Sequence, residues 1–297
     1  MRPLHCTSLT VRVVAGCVLF LGGCGDYTGP LYASRNGDIV FESDRSGDRE
    51  IYRMHADGSG LVRLTHSPYS DQHPTWSPGG SQIAFFSFRP PAGLYIMNGD
   101  GSNVRALQSE SMHAEFPSWS PDGRSIAFQG NMAGGAEIWV IDLETRRLRQ
   151  VTPTGIVATI PAWSPDGGRI AFAGLRTIGI TSADGSRLDY VSRPENAVDA
   201  DPAWSPDGSK IAFRRYVYDG ETAHQSIWVM DGDGSNQARL TQWTAGIDFV
   251  PAWSPDGRRI AFAHDVEQNF DIYVMNADGS DPRNITNQPG INYRPSW

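Results

Sequence analysis

The chain has 297 residues, 39% hydrophobic and 20% charged, with 32 Gly and 20 Pro to serve turns; this globular balance suits two ordinary domains or one large all-β domain. Its formal net charge is −8, and removal of Arg2 and Arg12 with the leader takes the mature chain to −10. That balance excludes a nucleic-acid backbone as partner, which calls for a clustered basic face, and otherwise serves solubility, with cationic partners left open.

At the start of the chain, Arg2 and Arg12 bracket a polar segment, and Val13 to Leu21 form an apolar run of nine residues. A bilayer span needs roughly 20, so residues 1–23 read as a signal peptide. The segment ends in Leu21-Gly22-Gly23-Cys24, which resembles the lipobox of bacterial lipoproteins. The resemblance implies acylation of Cys24, with residues 24–35 as a lipidated tether to a membrane. Cys6 and Cys17 lie inside the leader, so no disulfide can form within the mature chain. The expected location is an exported one, facing the periplasm or the cell exterior. Gly25, in place of the aspartate that marks inner-membrane retention in some bacteria, points to the outer membrane.

From Asp38 onward the chain repeats itself. The string Pro74-Thr75-Trp76-Ser77-Pro78 returns at Trp119, Trp163, Trp204 and Trp253, and Trp297 closes the chain, at spacings of 43, 44, 41, 49 and 44 residues. A period in the low forties built of short strands marks propeller blades. Each repeat reads as four strands. A tryptophan strand meets a Pro-Asp-Gly turn, and an Ile-Ala-Phe strand follows, such as Ile170 to Phe172. A third strand like Ile272 to Met275 leads through an Asp278-Gly279-Ser280 turn into a fourth ending in Thr or Ser, as at Thr241. Proline presets φ in such turns and glycine takes the left-handed position.

Two details set topology. Pro74, Pro117, Pro161, Pro202, Pro251 and Pro295 each precede a tryptophan by two residues. Lacking an N–H, they place the tryptophan strand at an edge, here the innermost, with the indoles packed between blades. The described pattern opens at Ile39-Val40-Phe41 without a tryptophan strand and ends at Tyr293 to Trp297 with nothing after it. The last strand therefore joins the first blade. The predicted fold is all-β: a six-bladed β-propeller of four-stranded antiparallel blades over residues 36–297, closed by the C-terminal strand and monomeric.

These residues resemble the TolB-type propeller repeat, whose pattern runs Trp-Ser-Pro-Asp-Gly, Ile-Ala-Phe, Ile-Tyr-Val-Met and a final Leu-Thr. The resemblance spans about residues 36 to 297 and implies a bacterial lipoprotein propeller without that family's additional N-terminal α/β domain, since Cys24 to Asp38 leaves no room for one. Similar repeats occur in prolyl-oligopeptidase-type peptidases, where a separate hydrolase domain performs the chemistry; no Gly-x-Ser-x-Gly elbow occurs here.

Turns at one end of the blades are short and uniform, whereas loops at the other vary, and variable loops commonly mark a repeat protein's binding face. Five residues before each tryptophan runs a column of Asp71, Ala114, Ala158, Asp199, Asp248 and Asn292, with Glu115 and Asp201 close by. At a channel mouth these groups would bind a cation, a basic partner or sugar hydroxyls; equally, each would cap its own loop. His73 and His113 fall near the same mouth. The longest loop, Arg214 to Ser226, carries Tyr216, Tyr218 and His224, aromatics that can anchor a partner or simply pack. Asp231-Gly232-Asp233 has a calcium-loop start but lacks the later glycine and glutamate, and reads as a hairpin turn. The histidines show no zinc spacing, and no metal or cofactor is expected. The leading functional expectation is a non-catalytic interaction module that recognises an envelope protein or cell-wall component through the variable-loop face. The alternative is a carbohydrate-active, lyase-like propeller using mouth carboxylates and histidines.

Overall fold

The computed structural model describes residues 37–107, 113–131, 135–218, 223–242, 246–287 and 290–297; the signal peptide, Cys24 and the tether lie outside them. The first blade contains β1 (Asp38–Ser46), β2 (Asp48–His55) and β3 (Val62–Arg63). The second contains β4 (Asp71–Trp76), β5 (Gln82–Ser87), β6 (Gly93–Asn98) and β7 (Arg105–Ala106). β8 (His113–Trp119), β9 (Ser125–Asn131), β10 (Glu137–Asp142) and β11 (Leu148–Gln150) form the third. The fourth holds β12 (Thr159–Trp163), β13 (Arg169–Ala173), β14 (Ile178–Ser182) and β15 (Leu188–Tyr190). β16 (Ala197–Trp204), β17 (Lys210–Tyr218), β18 (Ala223–Asp231) and β19 (Ala238–Arg239) make the fifth. The sixth holds β20 (Ile247–Trp253), β21 (Arg259–Val266), β22 (Asn269–Asn276) and β23 (Arg283–Asn284), and β24 (Asn292–Ser296) returns to the first blade.

Every sheet has four antiparallel strands in simple sequence order, with the tryptophan strand at one edge; in the first blade the order is β24-β1-β2-β3. β24 pairs with β1 through Val40 with Ser296, Glu42 with Tyr293 and Ser43 with Asn292. The six tryptophan strands contact one another in a closed circuit, from β4 through β8, β12, β16 and β20 to β24 and back to β4. A six-bladed propeller is the result.

The strand period of two explains how blades stack. In the second strand of each blade, Ile and Phe face the preceding blade while the residue between them faces the following one. Ile83 and Phe85 pack with Val40, Ile51 and Leu64 of the first blade, whereas Ala84 packs with Trp119 and Phe128 of the third. Ala127 likewise sits with Trp163, Ala171 with Trp204, Ala212 with Trp253 and Ala261 with Trp297. A small residue thus leaves room for the next blade's indole. Six apolar clusters, one per blade interface, make up the core.

The phenylalanines are the deepest members: Phe41, Phe85, Phe128, Phe172, Phe213 and Phe262 are all fully buried. Of the six repeat tryptophans only Trp119 and Trp204 are buried, at 7% and 8% exposure, and the other four are half-buried. The indoles are therefore shared between the interfaces and the axial cavity described below.

Both turn families behave as their residues dictate. In the Ser-Pro-Asp-Gly turns the serine hydroxyl donates to the aspartate, as from Ser120 to Asp122 at 2.6 Å, and the glycines take φ between 69° and 74°. In the outer turns a glycine meets the preceding blade's last strand. A Cβ on Gly234, whose φ is +90°, would lie 2.1 Å from the Val191 carbonyl oxygen.

Three stability measurements test this packing by chemical denaturation. Phe213→Ala should lose about 3–5 kcal/mol, and Trp76→Ala, half-exposed, clearly less. Ala171→Leu, which crowds the seat of Trp204, should lose about 1–3 kcal/mol.

Candidate functional site

Each tryptophan strand carries a β-bulge at the same place. The ladder to the second strand breaks between Gln72 and Thr75, Glu115 and Ser118, Thr159 and Ala162, Ala200 and Ala203, and Phe249 and Ala252. Within the bulge, the residue three before the tryptophan is left-handed in all six blades: His73, Phe116, Ile160, Asp201, Val250 and Arg294, with φ between 48° and 55°. For a non-glycine residue this conformation costs roughly 1–3 kcal/mol, and for β-branched Ile160 and Val250 it is a real outlier. Bulges re-aim side chains, and five of the six left-handed residues, His73, Phe116, Ile160, Val250 and Arg294, line the axial cavity, Asp201 being the exception. The proline that follows needs no ladder partner, so the bulge sits where the strand is already free on its inner side.

The axial cavity measures about 330 Å³. Its wall runs from the left-handed residues to the prolines just past the tryptophans, Pro78, Pro121, Pro165, Pro206 and Pro255. The narrow end is closed by side chains that meet across the axis. His73 stacks on Phe116 at 4.0 Å, and the Arg294 guanidinium lies over the same Phe116 ring at 4.4 Å, although Arg294 belongs to the first blade and Phe116 to the third. The cavity is thus a funnel that opens at the Pro-Asp-Gly turns, opposite the variable loops.

Beneath the funnel floor lies a cluster of charges. Glu42, 1% exposed, accepts the His73 N–H at 2.8 Å and pairs with Arg49 at 3.0 Å. Burial pushes its carboxyl above the ordinary 4.5, against the pull of Arg294, the His73 N–H and Arg49. His73 is held well below the usual 6.5 by burial, reinforced by the charges of Arg294 and Arg49, so its imidazole is neutral. Asp201 faces Arg214 at 2.7 Å without an aligned hydrogen bond, and Arg214 covers Phe249. Burial drives the Tyr293 phenol up to about 12.

The column five residues before each tryptophan does not ring a channel mouth. All six members are fully buried, Asp71, Ala114, Ala158, Asp199, Asp248 and Asn292 alike, and none lines the funnel. Each polar member is held by its own partner: Asp71 by Arg89, Asp199 by both nitrogens of an Arg215 fork at 2.6 and 2.8 Å, Asp248 by His264 at 2.7 Å. Asn292 accepts from Ser43 at 2.9 Å and donates to Asp271 of the sixth blade. Buried charges are stable only when paired; the three aspartates are paired within their own blades, and Asn292 reaches across to the sixth. Simple loop capping does not describe them either, because the partners are side chains on neighbouring strands.

Of the remaining sequence candidates, His113 is exposed and contacts Glu115 at 3.0 Å. His113 and His73 both pack on Phe86 but share no hydrogen bond with each other. The expected loop from Arg214 to Ser226 is instead a long hairpin, in which Tyr216 pairs with Gln225, Val217 with His224 and Tyr218 with Ala223. Among the described residues no group of three or more His, Cys, Asp or Glu is placed to hold a metal ion. Of the left-handed set, sequence reasoning singles out His73 and Asp201 and misses Phe116, Ile160, Val250 and Arg294; their one signal is a place just before each regularly spaced proline.

The family model for the TolB beta propeller domain matches residues 87–243 and 176–297. An uncharacterized protein of Agrobacterium fabrum is 39% identical over 66 residues, 22% of this chain and 22% of that protein. Among solved structures, TolB from Acinetobacter baumannii superposes with a TM-score of 0.77 at 23% identity, over 88% of this chain and 66% of that one. An oligogalacturonate lyase in complex with manganese gives 0.61 at 14% identity, over 84% and 73%. The chain therefore spans about a fifth of that curated relative and just under two thirds of the Acinetobacter protein, and at these identities the solved structures share its fold.

The floor yields a pH test. A carboxyl whose folded pKa is raised favours the fold fully below its unfolded value, and the contribution is lost as pH rises through the folded value. Glu42→Gln should therefore melt higher than wild type at neutral pH, and the difference should vanish below about 4.5, read by thermal melts across that range. A variant less stable than wild type at neutral pH would show that the pairs with Arg49 and His73 outweigh desolvation.

Proposed function

Because the chain belongs to the TolB β-propeller domain family, we propose that it is a non-catalytic binding module of the bacterial envelope. In this reading the leader exports it, acylated Cys24 tethers it, and a protein or cell-wall ligand enters the axial funnel. The observation that carries the reading is the funnel itself: a cavity of about 330 Å³ with His73 and Arg294 packed on Phe116 at one end. Binding sites are typically concave, mostly apolar and preformed, with few polar groups. Strands position such a site more rigidly than loops do. The recognition site is accordingly assigned to the funnel rather than to the variable-loop face.

A lyase would need carboxylates and histidines converging on one sugar. Asp71, Asp199 and Asp248 are each engaged by a cationic or imidazole partner in a separate blade, and that separation favours binding over catalysis. Tyr216 and His224, and the exposed Leu175, remain accessory contacts in this reading.

The test is crosslinking capture from intact envelopes. Ala162→Phe with Ala252→Phe, which fills the funnel from two half-buried wall positions, should abolish capture of the partner retained by wild type. Leu175→Asp on the opposite face should leave it intact. The reverse pattern would move recognition to the loops, and release of unsaturated product from polyuronides would establish the enzyme.

A further inference from the structure

The funnel has an uneven chemistry. Of the side chains that line it, Arg294 alone carries a charge at neutral pH, since His73 is held neutral. No aspartate, glutamate or lysine lines it, in a chain whose net charge is −8. Arg294 makes no hydrogen bond or ion pair with any described residue; its contacts are the rings of Phe116 and Tyr293. The two carboxylates near the floor are otherwise engaged. Glu42 senses the Arg294 charge but is bonded to Arg49 and the His73 N–H, and Asp201 faces Arg214. Neither lines the funnel.

The wall adds donors of the same kind. The Ser118 oxygen accepts the Trp163 N–H at 3.0 Å, and the Ser296 oxygen accepts the Trp76 N–H at 3.2 Å. Their hydroxyl protons, with that of Thr75, have no acceptor among the described residues although all three residues line the funnel. A cavity with one unpaired guanidinium, free hydroxyl donors and no acidic side chain in its lining is complementary to an acceptor-rich anion. Guanidinium presents paired N–H donors that match a carboxylate, and such charge-assisted bonds are about twice as strong as neutral ones.

We propose that Arg294 is the carboxylate-recognition group of the funnel, taking a carboxylate on an extended peptide, either at its C-terminus or on an acidic side chain. The inference rests on the funnel being the binding site. The left-handed backbone at Arg294 holds the guanidinium on the axis, where a chain entering from the turn face would present such a group.

The probes are three tripeptides: N-acetyl-Gly-Ala-Leu with a free carboxylate, the same peptide amidated, and N-acetyl-Gly-Asp-Leu amide. The readout is the NMR shift of the funnel tryptophan indole N–H signals. The free acid, the aspartyl amide or both should shift them, and which one does so identifies the source of the carboxylate. The neutral amide should not. Arg294→Gln should weaken binding by about tenfold or more, and salt should weaken it in wild type. Arg294→Lys, which keeps the cation over Phe116 but loses the fork, should be intermediate, and it carries the test if the glutamine variant does not fold. Equal binding of the neutral amide, no shift with either acid, or wild-type affinity in the Arg294 variants would overturn the proposal. Envelope capture lost in the filled-funnel protein but unchanged in Arg294→Gln would refute carboxylate recognition alone; capture unchanged in both would refute the funnel as the binding site.

Discussion

The fold depends on an alternation of bulk within one short strand. Because successive side chains of a strand point to opposite faces, a blade can present Ile and Phe to one neighbour and a small residue to the other. The small residue is what lets the following tryptophan approach, as Ala171 does for Trp204. Each blade is therefore a wedge with a bulky face and a recessed face, and wedges of this kind stack in one direction only. Stacking six of them returns the chain to its start, where β24 supplies the missing edge strand to β1. Closure leaves no sheet free to recruit another chain along a blade face. Val40 stands where the other blades have alanine, yet it still shares its cluster with Trp76.

Symmetry of the scaffold makes its departures informative. The left-handed residues share one backbone conformation in every blade but not one side chain: an imidazole, a phenyl, two aliphatics, a carboxylate and a guanidinium. A position whose backbone is fixed and whose side chain varies is released from building the repeat. The buried column behaves in the opposite way. There an acid or amide recurs wherever a cation or hydroxyl waits on the adjoining strand, as for Asp199 with Arg215, and where the partner is lacking the column holds alanine, as at Ala114 opposite Gly130. Polar residues at that level are paired inside the sheets, whereas two residues further along His73 and Arg294 line the cavity.

The repeat architecture was legible because its signals are local. Tryptophan spacing, Pro-Asp-Gly turns and the proline before each tryptophan all lie within a few residues of the feature they specify, and the unpaired ends at Phe41 and Trp297 disclosed closure by complementarity. The site was less legible because its determinants are distant. Asp71 and Arg89 are separated by most of a hairpin, and Arg294 meets Phe116 only after the ring has closed. A column of acids at constant spacing is the same pattern whether the groups face a channel or a neighbouring blade; burial alone separates the two. The hairpin around Tyr216 was read as a loop because Arg, Gln and His in an edge-ward extension mask its strand alternation, while the ladder from Lys210 with Asp231 to Tyr218 with Ala223 shows continuous pairing.

Closure by the two chain ends also alters the face on which the funnel opens. At three of the turns the proline rests against a glycine of the following turn, Pro121 beneath Gly167, Pro165 beneath Gly208 and Pro206 beneath Gly257. The first blade has Gly37 and Trp297 at that place instead of a turn, joined by the indole N–H donating to the Gly37 carbonyl at 2.8 Å. Pro255 and Pro78 therefore flank a second cleft of about 450 Å³, lined also by Asp38, Arg53 and Trp76. Trp76, Trp297, Pro78 and Pro255 line both cavities, so the wall between funnel and cleft is made of half-buried indoles with space on either side. Both indoles are anchored to the first blade, Trp76 donating to the Asp38 carbonyl and Trp297 to that of Gly37. The seam thus places a second cleft against the funnel wall, next to the strand that carries Arg294.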